Sequence, residues 1–359
     1  MAKADLPDPS YRAQSISGPY GAGKSALAMY FARLLDKDKA SHNGFRKRQL
    51  DYLGSIGDEL VPPDKQGYLS VLATGTRESL STCLVNSINR SLKASGHQDL
   101  LKKLFPKKIP KDTYNTRQIT KIFEDLAELA VSEGALGLIV IVDELGKLLE
   151  YAALNPEESD IHLLQELAEA ASRSHQHPFW FITILQQDFS YYASRLGKRH
   201  QREWSKIQQR FFDVPCLLDD TDAVQLVASA LNSSANPLVA SNEFIRRVIV
   251  LCANLAPKGC EADFEAWCQA SYPIHPTSLV LMPALFRRFG QNERSLFSFL
   301  STNEVFSLSE WLRDNKFKEN DPPFVRLPQL LDYTSYTLIG GRPSLYSVRA
   351  WTEVEDALI

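Results

Sequence analysis

The sequence predicts an α/β fold in which helices flank a central parallel sheet of five strands, followed by a small C-terminal all-helical lid domain. Five strands are predicted, at 12–17, 67–74, 136–142, 179–185 and 213–215. The third and fourth are unbroken apolar runs, as expected of central parallel strands whose two faces are both covered by helices. A glycine-rich turn joins the first strand to 25–35, which has the apolar spacing of a helix.

Amphipathic helices are predicted between the strands, as a parallel sheet requires. The apolar residues of 116–132 and of 159–174 recur at helical spacing on one side. A further helix is predicted at 78–92, and a strongly charged one at 195–210. Beyond the last strand the pattern is helical only, with segments at 222–231, 242–255, 262–272, 277–289 and 295–300.

The turn after the first strand fits the phosphate-loop pattern G-x-x-x-x-G-K-[ST]. Its residues are Gly18, Pro19, Tyr20, Gly21, Ala22, Gly23, Lys24 and Ser25. Backbone N–H groups of such a loop, together with the following helix N-terminus, form a concave anion site. Lys24 is predicted to reach the β- and γ-phosphates of ATP, and the Ser25 hydroxyl to ligate Mg²⁺. The motif therefore predicts a P-loop NTPase with ATP and Mg²⁺ as cofactors.

Two carboxylates, Asp143 and Glu144, end the apolar run at 136–142. This is the carboxyl edge of the predicted strand, where open α/β sheets bind ligands. Asp143 is predicted to hold Mg²⁺, and Glu144 to orient and deprotonate the water that attacks the γ-phosphate.

Three further positions are weaker candidates. Gln186 or Gln187, at the end of the fourth strand, is predicted to sense the γ-phosphate, and the sequence does not separate the two. Arg210 either enters a neighbouring subunit's nucleotide site or is a surface residue of a basic helix. Arg294 lies at the start of a lid helix and is predicted to reach the phosphates of the nucleotide. Arg287 or Arg288 could contact the phosphates instead, though less naturally, or could simply face water.

Composition restricts the class of protein. Hydrophobic residues make up 44% of the chain and charged residues 23%, as in globular proteins. No apolar run reaches the roughly 18 residues of a membrane span, and no signal-peptide core begins the chain. The net charge of −3 gives no overall basic field for nucleic acid. Five cysteines without a C-x-x-C pair predict reduced thiols in a cytoplasmic protein.

Four regions are predicted. Residues 1–11 are a lead-in, 12–215 the ATPase core, 216–300 the lid, and 301–359 the start of a further, mainly helical region of a longer chain. A basic insertion at about 94–115 interrupts the core; its lysines are either solvated or touch nucleic acid or an acidic partner.

The ordered set of motifs resembles the AAA+ branch of P-loop ATPases (the ASCE division) over roughly residues 12–300. Within that branch, Val142-Asp143-Glu144-Leu145-Gly146-Lys147 and the stretch 291–300 are similar to the ATPase module of large bacterial anti-phage proteins, such as those of BREX phage-exclusion systems. The STAND signalling ATPases and the origin-recognition ATPases share the arrangement of a helical lid domain after the ATPase core. The resemblance implies a module of a multidomain defence ATPase, with other defence proteins or DNA as partners.

Three functional hypotheses remain open on the sequence. The first is a Mg²⁺-dependent ATPase acting as a motor or assembly switch, as a homo-oligomer in which Arg210 arrives from a neighbour. The second is a nucleotide-held, STAND-like binding module with little turnover. The third, a P-loop kinase, is disfavoured by the helical lid and by the lack of an evident acceptor pocket.

Overall fold

The computed structural model describes residues 9–19, 22–36, 43–55, 67–105, 115–156, 159–187, 189–194, 198–216, 219–232, 236–289 and 293–340. The chain divides into two compact units. The first comprises Met1–Gly18 and Lys24–Cys216, and the second comprises Pro19–Gly23 and Leu217–Ile359. Predictions made for residues 1–8 and for 341–359 lie outside the described residues.

The first unit is built on one sheet of five strands. These are β1 (Ala13–Ser17), β2 (Leu69–Thr74), β3 (Leu138–Asp143), β4 (Phe179–Leu185) and β5 (Phe212–Pro215). Their order is β2-β3-β4-β1-β5, and every pairing is parallel. The predicted α/β class with a parallel five-stranded sheet flanked by helices is therefore confirmed.

Strands β3 and β4 are buried on both faces, which explains their unbroken apolar sequences. Successive side chains of a strand point to opposite faces. Leu138, Val140 and Val142 accordingly lie in one hydrophobic cluster, whereas Ile139 and Ile141 lie in another. Every position of β4 and every position of β3 before Asp143 is buried, so no polar alternation appears in their sequences.

Helices cover both faces of the sheet. In the first unit they are α1 (Lys24–Leu35), α2 (Asn43–Leu53), α3 (Leu80–Ala94), α4 (Gln98–Leu104), α5 (Thr116–Ser132), α6 (Leu145–Leu154), α7 (His162–Arg173), α8 (Phe189–Ala193) and α9 (Lys198–Gln208). The first helix packs on the face of Ile139 and Ile141. Helices α3, α5 and α7 pack on the opposite face. None of the described helices is both long and apolar enough to cross a membrane.

Two helices lie where the sequence predicts irregular chain. Asn43–Leu53 forms α2 between the predicted helix at 25–35 and the predicted strand at 67–74. Gln98–Leu104 forms α4 within the predicted basic insertion, and its Leu100 is buried in the core. Both helices are rich in charge, so few apolar positions signal them.

In the described residues of the second unit the regular elements are helices, joined by turns and loops and by one isolated bridge between Ile274 and Val325. Its helices are α10 (Asp220–Leu231), α11 (Pro237–Ala240), α12 (Glu243–Leu251), α13 (Glu261–Ala270), α14 (Pro276–Phe289), α15 (Glu293–Ser301), α16 (Leu308–Asp314) and α17 (Leu327–Gly340). They enclose a separate core that includes Phe264, Phe286, Phe299 and Tyr333. Because Tyr333 lies beyond residue 300, part of the predicted further region packs in the same core as the helices before it.

Two adjacent phenylalanines test the packing of the first unit. Phe211 is 8% exposed and packs against Phe181 and Phe189, whereas Phe212 is 47% exposed. We expect Phe211→Ala to lower the free energy of unfolding by about 3–5 kcal/mol, because it leaves a cavity in the core. Phe212→Ala should cost about 1 kcal/mol or less, measured by urea denaturation with circular dichroism. Equal losses would contradict the placement of β5.

Candidate functional site

A hydrogen bond closes the base of the glycine-rich loop. Gly18 follows β1 directly, and Lys24 is the first residue of α1. The Lys24 Nζ donates to the Gly18 carbonyl oxygen at 2.7 Å, and the lysine is only 6% exposed. The sheet and helix therefore hold a nearly buried ammonium group at the point where the loop begins and ends.

Gly18 is required by the close approach of another backbone. A Cβ at this position would lie 2.2 Å from the carbonyl oxygen of Cys216. The chain after β5 is held there because Cys216 N donates to the Ser17 carbonyl at 2.6 Å. Any side chain at residue 18 would separate these two segments.

The rest of the loop is described in part. Ala22 N donates to the Pro19 carbonyl at 3.4 Å, and Gly23 has φ of 74°, a left-handed conformation that favours glycine. Ser25 lies exposed in the first turn of α1. Tyr20 and Gly21 lie outside the described residues.

Asp143 and Glu144 end β3 with a local hydrogen bond. The Glu144 N–H donates to Asp143 Oδ1 at 2.8 Å. By strand alternation, Asp143 continues the face of Ile139 and Ile141, which is the face that α1 covers. The carboxylate of Asp143 therefore lies on the same side of the sheet as the helix that carries Lys24 and Ser25.

The backbone at Glu144 is strained and tightly packed. Glu144 has φ of 54° and ψ of 38°, a left-handed conformation that costs a non-glycine residue on the order of 1–3 kcal/mol. A Cβ at Gly75, just after β2, would lie 2.2 Å from the Glu144 carbonyl oxygen. Gly75 N also donates to the Asp143 carbonyl at 2.7 Å. The end of β2 thus fixes the backbone that carries both carboxylates.

Lys147 forms an ion pair with the Glu144 carboxylate through Nζ and Oε2. It lies in the first turn of α6, and its side chain is 46% exposed, against 31% for Glu144. Lys147 was not predicted as a site residue. Its spacing of three residues from Glu144 at the start of a helix is the signal that would have found it.

The strand register places the end of β1, which Gly18 follows, and the acidic pair at one edge. Ser15 of β1 is level with Thr183 of β4, which is level with Val142 of β3. Since two strand spacings separate β1 from β3, Ser17 and Glu144 end their strands about 10 Å apart. Lys24 and Glu144 therefore belong to the same edge of the same sheet.

Two other polar groups lie at this edge. Gln186 and Gln187 follow β4, which lies between β1 and β3; Gln186 is half-buried and Gln187 is exposed. On the other side of β1, Ser17 Oγ donates to Asp213 Oδ1 at 3.0 Å. Asp213 was not predicted as a site residue, because nothing in the sequence indicates that β5 lies beside β1.

Arg210 lies at the opposite edge of the sheet. It lies two residues before Phe212, the first residue of β5, and so at the amino end of that strand. Its Nε lies 3.3 Å from Glu169 Oε1 on α7. Hydrogen bonding from Gln165, and then the charges of Arg210 and Arg173, lower the pKa of the Glu169 carboxyl.

The remaining predicted arginines lie in the second unit. Arg294 is in α15, and its side chain lies outside the described residues. Arg287 forms an ion pair with Asp220 at 2.8 Å, and Arg288 lies over the ring of Phe289.

In the predicted basic insertion, Lys103 pairs with Glu133, while Lys107, Lys108 and Lys111 lie outside the described residues.

The cysteines and the potential metal ligands of the described residues indicate no second functional site. The five cysteines, all in the described part of the chain, form no disulfide, and burial raises the pKa of Cys83 to about 11 and of Cys268 to about 12. In the described part of the chain, no three His, Cys, Asp or Glu side chains cluster as a metal site.

Comparisons with known proteins give only distant likenesses, to solved structures. No family model and no curated protein matches the chain. A solved structure of the ORC2 protein of Aeropyrum pernix, in ADPNP–ADP complexes, matches with a TM-score of 0.34 and 12% identity. The match covers 91% of this chain and 79% of that chain. A likeness of this degree supports no conclusion about ligand or activity.

Gly75 tests how the acidic pair is held. We expect Gly75→Ala to lower the free energy of unfolding by about 1–3 kcal/mol, because a Cβ overlaps the Glu144 carbonyl and one backbone must move. Gly44→Ala in α2 is the matched control, since no described atom lies within 4 Å of its Cβ. It should be neutral or stabilising by up to about 1 kcal/mol, because alanine favours helix. Chemical denaturation of both variants measures this; a neutral Gly75→Ala would contradict the contact.

Proposed function

We propose that the protein binds ATP with Mg²⁺ and hydrolyses it, as an AAA+ type P-loop ATPase. One observation carries the proposal. The glycine-rich loop with Lys24 and the acidic pair Asp143–Glu144 lie at the carboxyl edge of one parallel sheet, with a single strand between them. Strand order also reverses at β1, and such switch points are where open α/β sheets bind ligands.

The donor chemistry of the site fits a nucleotide with its metal. The phosphates would be held by the residues of the glycine-rich loop: Gly18, Pro19, Tyr20, Gly21, Ala22, Gly23 and Lys24. Gln186 or Gln187 would lie near the γ-phosphate. Ser25 and Asp143 supply the hydroxyl and carboxylate oxygens that Mg²⁺ prefers. One oxygen of Asp143 is oriented by the Glu144 N–H. Bound Mg²⁺ would neutralise charge on the phosphates.

Glu144 is the proposed general base. Its strained backbone is held by the chain after β2, so the carboxylate starts from a fixed point at the edge. A carboxylate there would orient the attacking water and accept its proton. Lys24, at the base of the loop, would stabilise negative charge that develops on the transferring phosphoryl group.

The proposal also includes a homo-oligomer and its partners. Arg210 would enter a neighbouring subunit's nucleotide site within a homo-oligomer, and Arg294 would act from the lid. The resemblance of 142–147 and 291–300 supports a cytoplasmic motor or assembly switch in an anti-phage defence or DNA-associated system. Other defence proteins or DNA would be its partners.

One contact favours the second candidate function, a nucleotide-held module with little turnover. Lys147 engages the carboxylate of Glu144. While this pair is closed, one oxygen of the proposed base is occupied by an ammonium group. Tight nucleotide binding with slow hydrolysis would follow if the pair stays closed when nucleotide is bound.

Glu144→Gln tests hydrolysis. The amide keeps the shape of the side chain but does not accept a proton from water at neutral pH. We expect ATP turnover to fall by a factor of about 10²–10⁴ while ATP binding is retained. Phosphate release and binding of a fluorescent ATP analogue measure the two quantities.

Glu150→Gln, on the exposed side of α6, is the matched control and should turn over ATP within about twofold of the unmodified protein. Unchanged turnover in Glu144→Gln would remove Glu144 from its role. No turnover in the unmodified protein, with nucleotide retained through purification, would favour the second function.

Lys147→Ala tests whether the ion pair restrains the base. An exposed pair of this kind is worth about 0.2–1 kcal/mol, so releasing Glu144 should raise turnover by up to about fivefold. Lys121→Ala, which breaks a comparable exposed pair with Asp125 on α5, should leave turnover unchanged. A fall to the level of Glu144→Gln would instead show that Lys147 assists catalysis.

A further inference from the structure

Helix α9 has one buried face and one basic face. Trp204 and Ile207 are 3% and 1% exposed and belong to the core of the first unit. Lys198, Arg202 and Lys206 are all exposed. The only acidic residue of the helix, Glu203, is half-buried. The helix thus presents its cations outward from a rigid support.

The three cations form a row along the helix. They are four residues apart, so successive positions rise by about 6 Å and the row spans about 12 Å. Among the described residues, no carboxylate forms an ion pair with any of them. Lys102, Lys103 and Lys121, on α4 and α5, each have such a partner.

This row does not serve the stability of the helix. Like charges four residues apart destabilise a helix by about 0.2–0.5 kcal/mol per pair. The burial of Trp204 and Ile207 holds α9 in place without them. A row of cations without described partners, in a chain of net charge −3, is therefore suited to an external polyanion.

The buried face decides between kinds of partner. A membrane-surface helix, or one that docks in an apolar groove, needs its apolar face free. Here that face lies in the core. Among the exposed described residues of α9 there is no Phe, Tyr or Trp ring on which unpaired bases would stack, as single-stranded nucleic acid prefers; the smaller imidazole of His200 is exposed. Outward-facing phosphates at high charge density are the feature of a duplex.

We propose that Lys198, Arg202 and Lys206 bind the phosphate backbone of duplex DNA. Contacts to phosphates alone carry no sequence information, so the binding is independent of sequence. The inference gives the DNA partner proposed above a binding surface, and it does not rest on nucleotide hydrolysis. Its test is therefore made without ATP, and its failure would leave the proposed ATPase unaffected.

The experiment is fluorescence anisotropy of a labelled 20-base-pair duplex at 50 to 200 mM salt. Three phosphate contacts contribute about −2.7 to the slope of log affinity against log salt concentration. In the triple variant Lys198→Gln, Arg202→Gln and Lys206→Gln, the slope should become shallower by about this amount. Affinity at 0.1 M salt should fall on the order of 100-fold.

The matched control removes the same charge elsewhere in the first unit. Lys93→Gln, Lys102→Gln and Lys121→Gln are exposed and lie on α3, α4 and α5. This variant should keep the slope and affinity of the unmodified protein. Equal losses in the two variants would overturn the proposal, since net charge alone would then explain binding. Absence of duplex binding at 50 mM salt would also overturn it.

Three further binding measurements distinguish duplex DNA from other anionic partners. Single-stranded DNA of the same length, a polyglutamate competitor and anionic phospholipid vesicles are compared at the same salt. The proposal expects the duplex to bind most tightly. Tighter binding of the single strand, of polyglutamate or of vesicles would overturn the assignment to duplex DNA. Circular dichroism shows that each variant keeps its helices.

Discussion

Two contacts of backbone on backbone hold the carboxyl edge of the sheet together. At Gly18 the chain lies against the carbonyl of Cys216, and at Gly75 it lies against the carbonyl of Glu144. In both places a Cβ would stand 2.2 Å from an oxygen atom. The first contact attaches the start of the glycine-rich loop to the end of β5, and the second attaches the acidic pair to the end of β2. Side chains cannot loosen these contacts by changing rotamer, so the edge is fixed by its main chain.

A rigid edge gives the strain at Glu144 a physical meaning. A left-handed glutamate persists only where its surroundings determine its conformation, and the Gly75 contacts on both residues of the acidic pair provide this. The side chain is less constrained than the backbone, because its partner Lys147 is about half exposed. A fixed backbone with a weakly held carboxylate is what a general base needs, since the base must reach water without moving its strand.

How far the sequence predicts this arrangement depends on the kind of contact. The apolar runs of β3 and β4 were predicted within two residues, because burial on both faces leaves an unbroken pattern. The loop was found because its glycines and Lys24 have fixed spacing. Gly75 was not found, since it lies in a polar stretch, and its contact depends on β2 pairing with β3. The separation of Arg210 from the loop likewise follows from the direction of β5, and no local pattern encodes it.

The two edges of the sheet differ in how firmly they hold their charged groups. At the carboxyl edge Lys24 is nearly buried and bonded to a main-chain carbonyl. At the amino edge Arg210 is 52% exposed, and its partner Glu169 also serves Arg173. An exposed pair of this kind is worth about 0–1 kcal/mol, and Glu169 keeps a second cation when Arg210 leaves. The backbone of Arg210 is nevertheless anchored, because Phe211 is buried beside Phe181 and Phe189. The guanidinium can therefore exchange partners while its chain stays in place.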